Sequence, residues 1–260
     1  MVFFIDYGKI LIMIELYFVF IFGLIIGSFL NCVIWRTYKE ESFLLGKSYC
    51  PNCKHNLSFW DLFPLFSFIF LKGKCRYCGK KISYQYPLVE LITGIVFSFV
   101  FLQVGLTAEL IFLWIIMALF IAIFVFDLKH YIIPDGFVFS GILVSIIWIV
   151  YSGGGIDYLI SATCSALFFF IIWLFSKGMA MGFGDVKLAF LLGLILGYPN
   201  IIVGVFLGFL FGAIIGLIMV IFQKRQIKSE VPFAPFLLAG SFIAIFWGSN
   251  IINWYTSLIK

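Results

Sequence analysis

Met181-Gly182-Phe183-Gly184-Asp185-Val186-Lys187 sets a carboxylate between glycines where one apolar run has ended and another begins. An ionisable side chain beside membrane-grade sequence is costly to keep, so it reads first as a functional site. A second carboxylate has a similar setting. Asp127 closes the apolar run Ala108–Phe126 and opens Asp127-Leu-Lys-His-Tyr-Ile-Ile-Pro-Asp135. Two acids at the ends of two apolar spans point to one catalytic pair in a membrane.

The surrounding chain supports the membrane half of that reading. Of its 260 residues 64% are hydrophobic and 11% charged, and its mean hydropathy is +1.18. Soluble domains run at about 45–50% apolar and about 25% charged. Working outward from Asp127 and Asp185, eight candidate spans emerge: 10–33, 87–106, 108–126, 136–151, 158–175, 186–198, 201–222 and 236–258. The sixth is short for a crossing, which takes about 17–25 residues. It either borrows the glycine-rich approach to Asp185 or stops below the far surface. The first span follows Asp6 and has no small-residue cleavage pattern behind it, so it reads as retained. The expected fold class is therefore an all-α polytopic membrane protein of about eight transmembrane helices, with a small extramembrane module.

Charge placement orients the spans. Nine of the seventeen Lys and Arg residues fall between Arg36 and Lys81. A basic patch also suits nucleic acid, but in a membrane chain it marks a loop retained in the cytoplasm, so no nucleic-acid partner is expected. Alternating from there, the loops at Lys129, Lys177 and Lys224-Arg225…Lys228 are cytoplasmic, while those at 103–107, 152–157 and 199–200 carry no cation. Both termini then lie outside, and Asp127 and Asp185 share the cytoplasmic face. Gly204, Gly208, Gly212 and Gly216, spaced by four like Gly193 and Gly197, read as a helix-packing seam.

The basic loop carries Cys50-Pro-Asn-Cys53 and Cys75-Arg-Tyr-Cys78. Two such knuckles can close a tetrahedral Zn²⁺ site with four thiolates. A cytoplasmic location disfavours disulfides, and a loop this small needs the stability that a structural metal supplies. Four sulfurs leave no open position for catalysis. His55 is a spare candidate ligand but reads first as a surface side chain, whereas Cys32 and Cys164 read as buried apolar residues. Between the knuckles, Leu62-Phe-Pro-Leu-Phe-Ser-Phe-Ile-Phe-Leu71 is too short to cross a bilayer and too apolar for an exposed loop, so an interfacial placement is expected.

The ordered set Gly27-Ser-Phe-Leu-Asn31, Cys50-x-x-Cys53, Cys75-x-x-Cys78, Tyr86-Pro-Leu-Val-Glu90, Asp127…Ile133-Pro-Asp135, Gly182-Phe-Gly-Asp185-Val-Lys and Pro232-Phe-Ala-Pro-Phe236 resembles the bacterial type IV prepilin peptidases. The resemblance implies an intramembrane aspartic protease of the cytoplasmic (inner) membrane. Such enzymes remove the short basic leader from type IV prepilins or pseudopilins just after a glycine, for pilus, type II secretion or competence systems. Many relatives also methylate the new N-terminus with S-adenosylmethionine. The family's catalytic aspartates map onto Asp127 and Asp185, and its zinc cysteines onto Cys50, Cys53, Cys75 and Cys78. The implied division is a first span (1–35), a four-cysteine zinc module (36–86) and a peptidase core (87–260). Ala234 departs from the family's usual glycine, with little consequence expected.

Hydrolysis by two carboxylates needs one ionised and one protonated. The dipole of the sixth helix favours charge on Asp185, which would make it the base and Asp127 the acid, with exchange of roles left open. Asp135 and Asp61 read as cap and loop residues, and Glu90 as a partner for a substrate amine or nearby cations. Two other readings stand beside this one: each aspartate as a mere helix cap paired with Lys129 or Lys187, and a proton-coupled transporter using the two acids as a relay. A transporter leaves the cysteine module unexplained. A peptidase without methyltransferase activity is a further alternative, because no glycine-rich loop announces a S-adenosylmethionine site.

Overall fold

In hydrocarbon every backbone N–H and C=O needs a partner within the chain, which restricts long apolar runs to helices or closed barrels. The computed structural model describes residues 7–42, 46–179, 181–223 and 232–259, and within them the long apolar runs are helices. They are α1 (Tyr7–Tyr38), α2 (Phe66–Phe70), α3 (Gln85–Val104), α4 (Ala108–His130), α5 (Asp135–Ser152), α6 (Asp157–Phe175), α7 (Phe183–Leu196), α8 (Asn200–Gln223) and α9 (Ala234–Ile259). No strand forms among the described residues. Asp6 and the basic run Lys224-Arg225…Lys228 lie outside them.

Seven helices, α1, α3, α4, α5, α6, α8 and α9, are long and apolar enough to cross a membrane. This is a multi-pass membrane protein, as its composition requires. The short sixth run is α7, whose 14 residues rise only about 21 Å at 1.5 Å per residue, against a hydrocarbon core of about 30 Å. Its shortness has a packing counterpart. Nine of those residues are buried on all sides of the helix, the signature of a helix enclosed by protein rather than facing solvent or lipid along a stripe.

The chain forms two compact units, residues 1–122 and 123–260, with the boundary inside α4. In the first, α1 packs against α3 through small residues. A Cβ on Gly23 would lie 2.7 Å from the Gly94 Cα, and one on Gly27 2.6 Å from the Glu90 Cα. Asn31 closes the contact by donating to the Tyr86 carbonyl (3.0 Å). Trp114 of α4 stacks on Phe97 of α3 at 5.1 Å and donates its indole N–H to the Phe97 carbonyl.

In the second unit α7 touches α5, α6, α8 and α9. Gly193 lets α7 meet Ala162 of α6, where Ser165 donates to the Ala189 carbonyl at 2.8 Å. The expected glycine seam of α8 exists in part. Gly204 and Gly208 abut Ser241 and Leu237, and their backbones leave no room for a Cβ on Gly240 of α9. Gly212 makes only ordinary contacts and Gly216 faces open space. Gly197 lies past the end of α7 at φ +62, capping it rather than lining its face.

Candidate active site and metal centre

Asp127 does not follow the end of α4, as the sequence reading has it, but lies within its last turn. Leu128, Lys129 and His130 carry no helix breaker, and the two basic side chains complement the negative helix end. The helix stops where Tyr131 turns to φ +56 and donates its N–H to the Asp127 carbonyl at 2.9 Å. Pro134, which starts the approach to α5, prevents continuation. Asp185 occupies the opposite kind of position, the third residue of α7 after the N-cap Gly182.

Both side chains are buried, Asp127 at 5% exposure and Asp185 at 7%, in the same compact unit. The Asp185 carboxylate accepts the Gly182 N–H and lies within direct Coulombic reach of Asp127. An N3 carboxylate turned back onto its N-cap is half of a capping box, so Asp185 does serve as a cap. That does not exhaust it, because a cap needs no second buried acid beside it. The Asp127 carboxylate accepts the N–H of Ala234, the first residue of α9, while its Oδ2 is buried without a partner. Each aspartate thus faces an N–H that a helix start leaves unsatisfied.

Neither aspartate makes a salt bridge among the described residues. Lys187 pairs with Asp135, so it is not the partner that the helix-cap alternative gives a site carboxylate, and the pair forms a clamp beside the site. The clamp joins α7 to the start of α5. One turn away, a Cβ on Gly184 would sit 3.1 Å from the Ile133 Cβ, so Gly184 lets the α4–α5 connection lie against α7. The two glycines around Asp185 therefore differ. Among the described residues, and apart from Gly182's own chain neighbours, nothing comes closer than 3.9 Å to where a Gly182 Cβ would be, which leaves room beside the carboxylates.

Two further residues escape a reading by sequence. Ala234 contributes only its backbone, and no side-chain signal marks a backbone donor. Glu90, expected to meet an amine or cations, instead accepts the Leu65 N–H at 2.8 Å and is 7% exposed. It anchors the apolar segment between the cysteine knuckles to α3.

The knuckles themselves repeat one another. Cys50 N–H donates to the His55 carbonyl, Lys54 N–H to that of Cys50, and Leu57 N–H to that of Ser48. Twenty-five residues on, Cys75 pairs with Lys80, Gly79 with Cys75, and Ile82 with Gly73 in the same pattern. Isolated antiparallel bridges, Tyr49–Asn56 and Lys74–Lys81, flank them. All four cysteines are free thiols whose sulfurs lie within 4.8 Å of one another, with Cys50 and Cys78 at 4.0 Å. Tetrahedral Zn–S bonds of about 2.3 Å imply S···S edges of about 3.8 Å, so the donor set fits a metal ion such as zinc. The thiols are unequal. Burial opposes the Cys50 thiolate, but the N–H groups of Cys53 and Asn52 outweigh it and hold that thiol below its usual range. At Cys78 the Lys80 N–H is outweighed by desolvation and the other three sulfurs, which push the thiol up to about 11.

His55 is exposed and lies outside the sulfur cluster, and its ring meets that of Tyr77 at 3.7 Å, tilted by 34°, joining one knuckle to the other. Asp61, expected as a plain loop residue, is a hub. It accepts from the Ser58 N–H and hydroxyl, from Arg76 Nε at 2.7 Å and from the Tyr77 hydroxyl. Burial pushes its carboxyl up, but those bonds prevail and hold it below the usual carboxylate range. Cys32 is partly buried and Cys164 exposed, so only the first resembles the expected buried residue.

S-adenosylmethionine carries an amine, a sulfonium and ribose hydroxyls, which call for acidic or acceptor side chains. A cleft of about 360 Å³ beside the knuckles offers mainly Trp60, Phe63, Phe66 and Phe70, with Ser67 and Arg76 its polar groups. That lining does not fit the cofactor, and no described residue is assigned to it.

Comparison with known proteins extends this picture over most of the chain. Residues 21–104 match the bacterial peptidase A24 N-terminal domain, and residues 114–217 match the type IV leader peptidase family. A prepilin leader peptidase/N-methyltransferase of Bacillus subtilis (strain 168) is 33% identical over 246 residues, covering 92% of this chain and 97% of the relative. One from Aeromonas salmonicida (strain A449) is 31% identical, covering 93% and 94%. Another from Pseudomonas aeruginosa is 30% identical, covering 90% of each. No solved structure matches.

Proposed function

We propose a function from a plain premise: this chain belongs to the type IV leader peptidase family. It is a prepilin leader peptidase, cutting the leader from prepilins or pseudopilins, and an N-methyltransferase of the new N-terminus. Asp127 and Asp185 are its catalytic pair. The observation that carries this is two buried carboxylates within Coulombic reach, in one compact unit, without a salt bridge to either among the described residues. Like charges at that range do not both ionise, so the pair shares a proton and titrates as a unit.

The ionised member draws a proton from water. The water oxygen then adds to the scissile carbonyl carbon while the protonated member donates to the carbonyl oxygen. Collapse of the tetrahedral centre breaks the C–N bond: the aspartate that took the water proton gives it to the leaving nitrogen, and the other takes back a proton from a hydroxyl of that centre as the carboxyl group forms. The helix dipoles favour charge on Asp185, in the first turn of α7, over Asp127, in the last turn of α4, and the start of α9 offsets part of that bias, so exchange of roles stays open. Asp185 faces the Gly182 N–H and Asp127 the Ala234 N–H, so each has a donor of the same kind. The open space at Gly182 suits the close approach of a substrate backbone.

The same proposal includes a structural Zn²⁺ held by Cys50, Cys53, Cys75 and Cys78. It also includes S-adenosylmethionine as methyl donor, which rests on the family alone. The loop charges support a cytoplasmic-membrane location with module and aspartates at the cytoplasmic face, and a division into span 1–35, module 36–86 and peptidase core 87–260. Co-expression with a prepilin tests the reading: the leader should be lost and the new N-terminus should gain the mass of one methyl group. An intact leader rejects the peptidase. Loss of the leader without that mass leaves a peptidase that does not methylate.

A further inference from the structure

The apolar segment between the knuckles has chemistry that the peptidase reading does not use. Trp60 is 70% exposed and Phe70 80%, and with Phe63 and Phe66 they line the cleft closed on one side by Arg76. Phe59 meets Trp60 edge-on at 5.8 Å, and Phe63 meets Phe66 at 5.5 Å, so the rings form one cluster. An apolar, aromatic surface of this kind marks an interaction site or a membrane interface.

Its depth is set by Glu90. The Leu65 N–H that Glu90 holds belongs to the residue preceding α2, and Glu90 is the sixth residue of the span α3. Five residues along a helix is about 7.5 Å. Interfacial segments bury their apolar face about 5–10 Å into the boundary between headgroups and acyl chains, and a span entering that boundary at its first residue would put Glu90 within this range.

Charge identifies the occupant. Residues 46–86 hold seven Lys and Arg against the single acid Asp61, which is already engaged by Arg76. A zinc tetrathiolate would remove two of the six net positive charges and leave the module cationic. A basic leader peptide is repelled by such a surface, whereas anionic headgroups are drawn to it. Arg76 gives Asp61 its Nε and remains half exposed, with guanidinium donors left for a phosphate.

We propose that this aromatic face is a membrane foot. The Trp60–Phe70 cleft receives an anionic phospholipid of the bilayer, its apolar part among the rings and its phosphate at Arg76, flanked in sequence by Lys72 and Lys74. The proposal goes beyond the peptidase reading and stands whether or not the aspartates cleave.

The test uses the full chain in nanodiscs of phosphatidylcholine with a quarter phosphatidylglycerol. p-Benzoylphenylalanine replaces Phe70 or, as an off-patch control, the exposed Lys80. Irradiation should give phospholipid adducts at position 70, with phosphatidylglycerol at least twofold above its share, and few at position 80. Lys72→Gln with Lys74→Gln should bring that enrichment down, with zinc content as the check that the module is intact. Adducts at position 70 that follow lipid abundance, or none, overturn the proposal. So does transfer of the cross-link onto an added prepilin leader.

Discussion

The two cysteine knuckles match bond for bond, whereas the two aspartate segments share no backbone pattern. One aspartate lies in the last turn of α4 and the other in the first turn of α7. Each knuckle closes its own hydrogen bonds within ten residues, 48–57 and 73–82, and meets its twin through the sulfur cluster and the His55–Tyr77 contact. The aspartate segments depend on one another through packing, with Gly184 against Ile133 and Lys187 against Asp135. The first site is thus assembled from two self-contained turns, and the second from the packing of separate helices. Local repetition is robust to distant change; complementary packing is not.

The largest effect should separate the two regions outright. Asp127→Asn or Asp185→Asn should lower leader cleavage by about 10²- to 10⁴-fold or more while bound zinc is unchanged. Cleavage retained in either variant removes that residue from the catalytic pair. Cys50→Ser or Cys75→Ser should do the reverse at the level of metal, losing zinc and destabilising the module, since metal binding and folding are one equilibrium in such small sites. Unchanged metal content by elemental analysis would show the tetrathiolate assignment to be wrong.

A smaller effect probes the clamp. Asp135→Lys or Lys187→Asp alone should cost about 1 kcal/mol of alignment, roughly fivefold in cleavage rate. The double exchange should restore the rate if the pair acts by position, and a double variant slower than either single one breaks that account.

The smallest effect lies within the knuckle repeat. The fourth residue after the first cysteine has positive φ in both copies, as Lys54 (+56) and Gly79 (+69). A side chain there costs about 1–2 kcal/mol. Gly79→Ala should therefore weaken zinc retention against a chelator. Lys54→Gly should strengthen it slightly, because the relief exceeds the entropy cost of glycine, about 0.5–1 kcal/mol.

Sequence alone determined the helical class, the position of each apolar run, the four sulfur donors and the two candidate acids. These follow from hydropathy, from the cost of burying charge and from short-range ligand spacing, all readable along the chain. Only the tertiary structure decided that α4 runs on past Asp127, that Lys187 turns to Asp135, and that Glu90 and Asp61 bind the module together. It also decided that Ala234 supplies a backbone donor to Asp127. The reason is physical. Which polar atom a buried carboxylate meets depends on how helices far apart in sequence pack, and backbone donors leave no trace in residue identity.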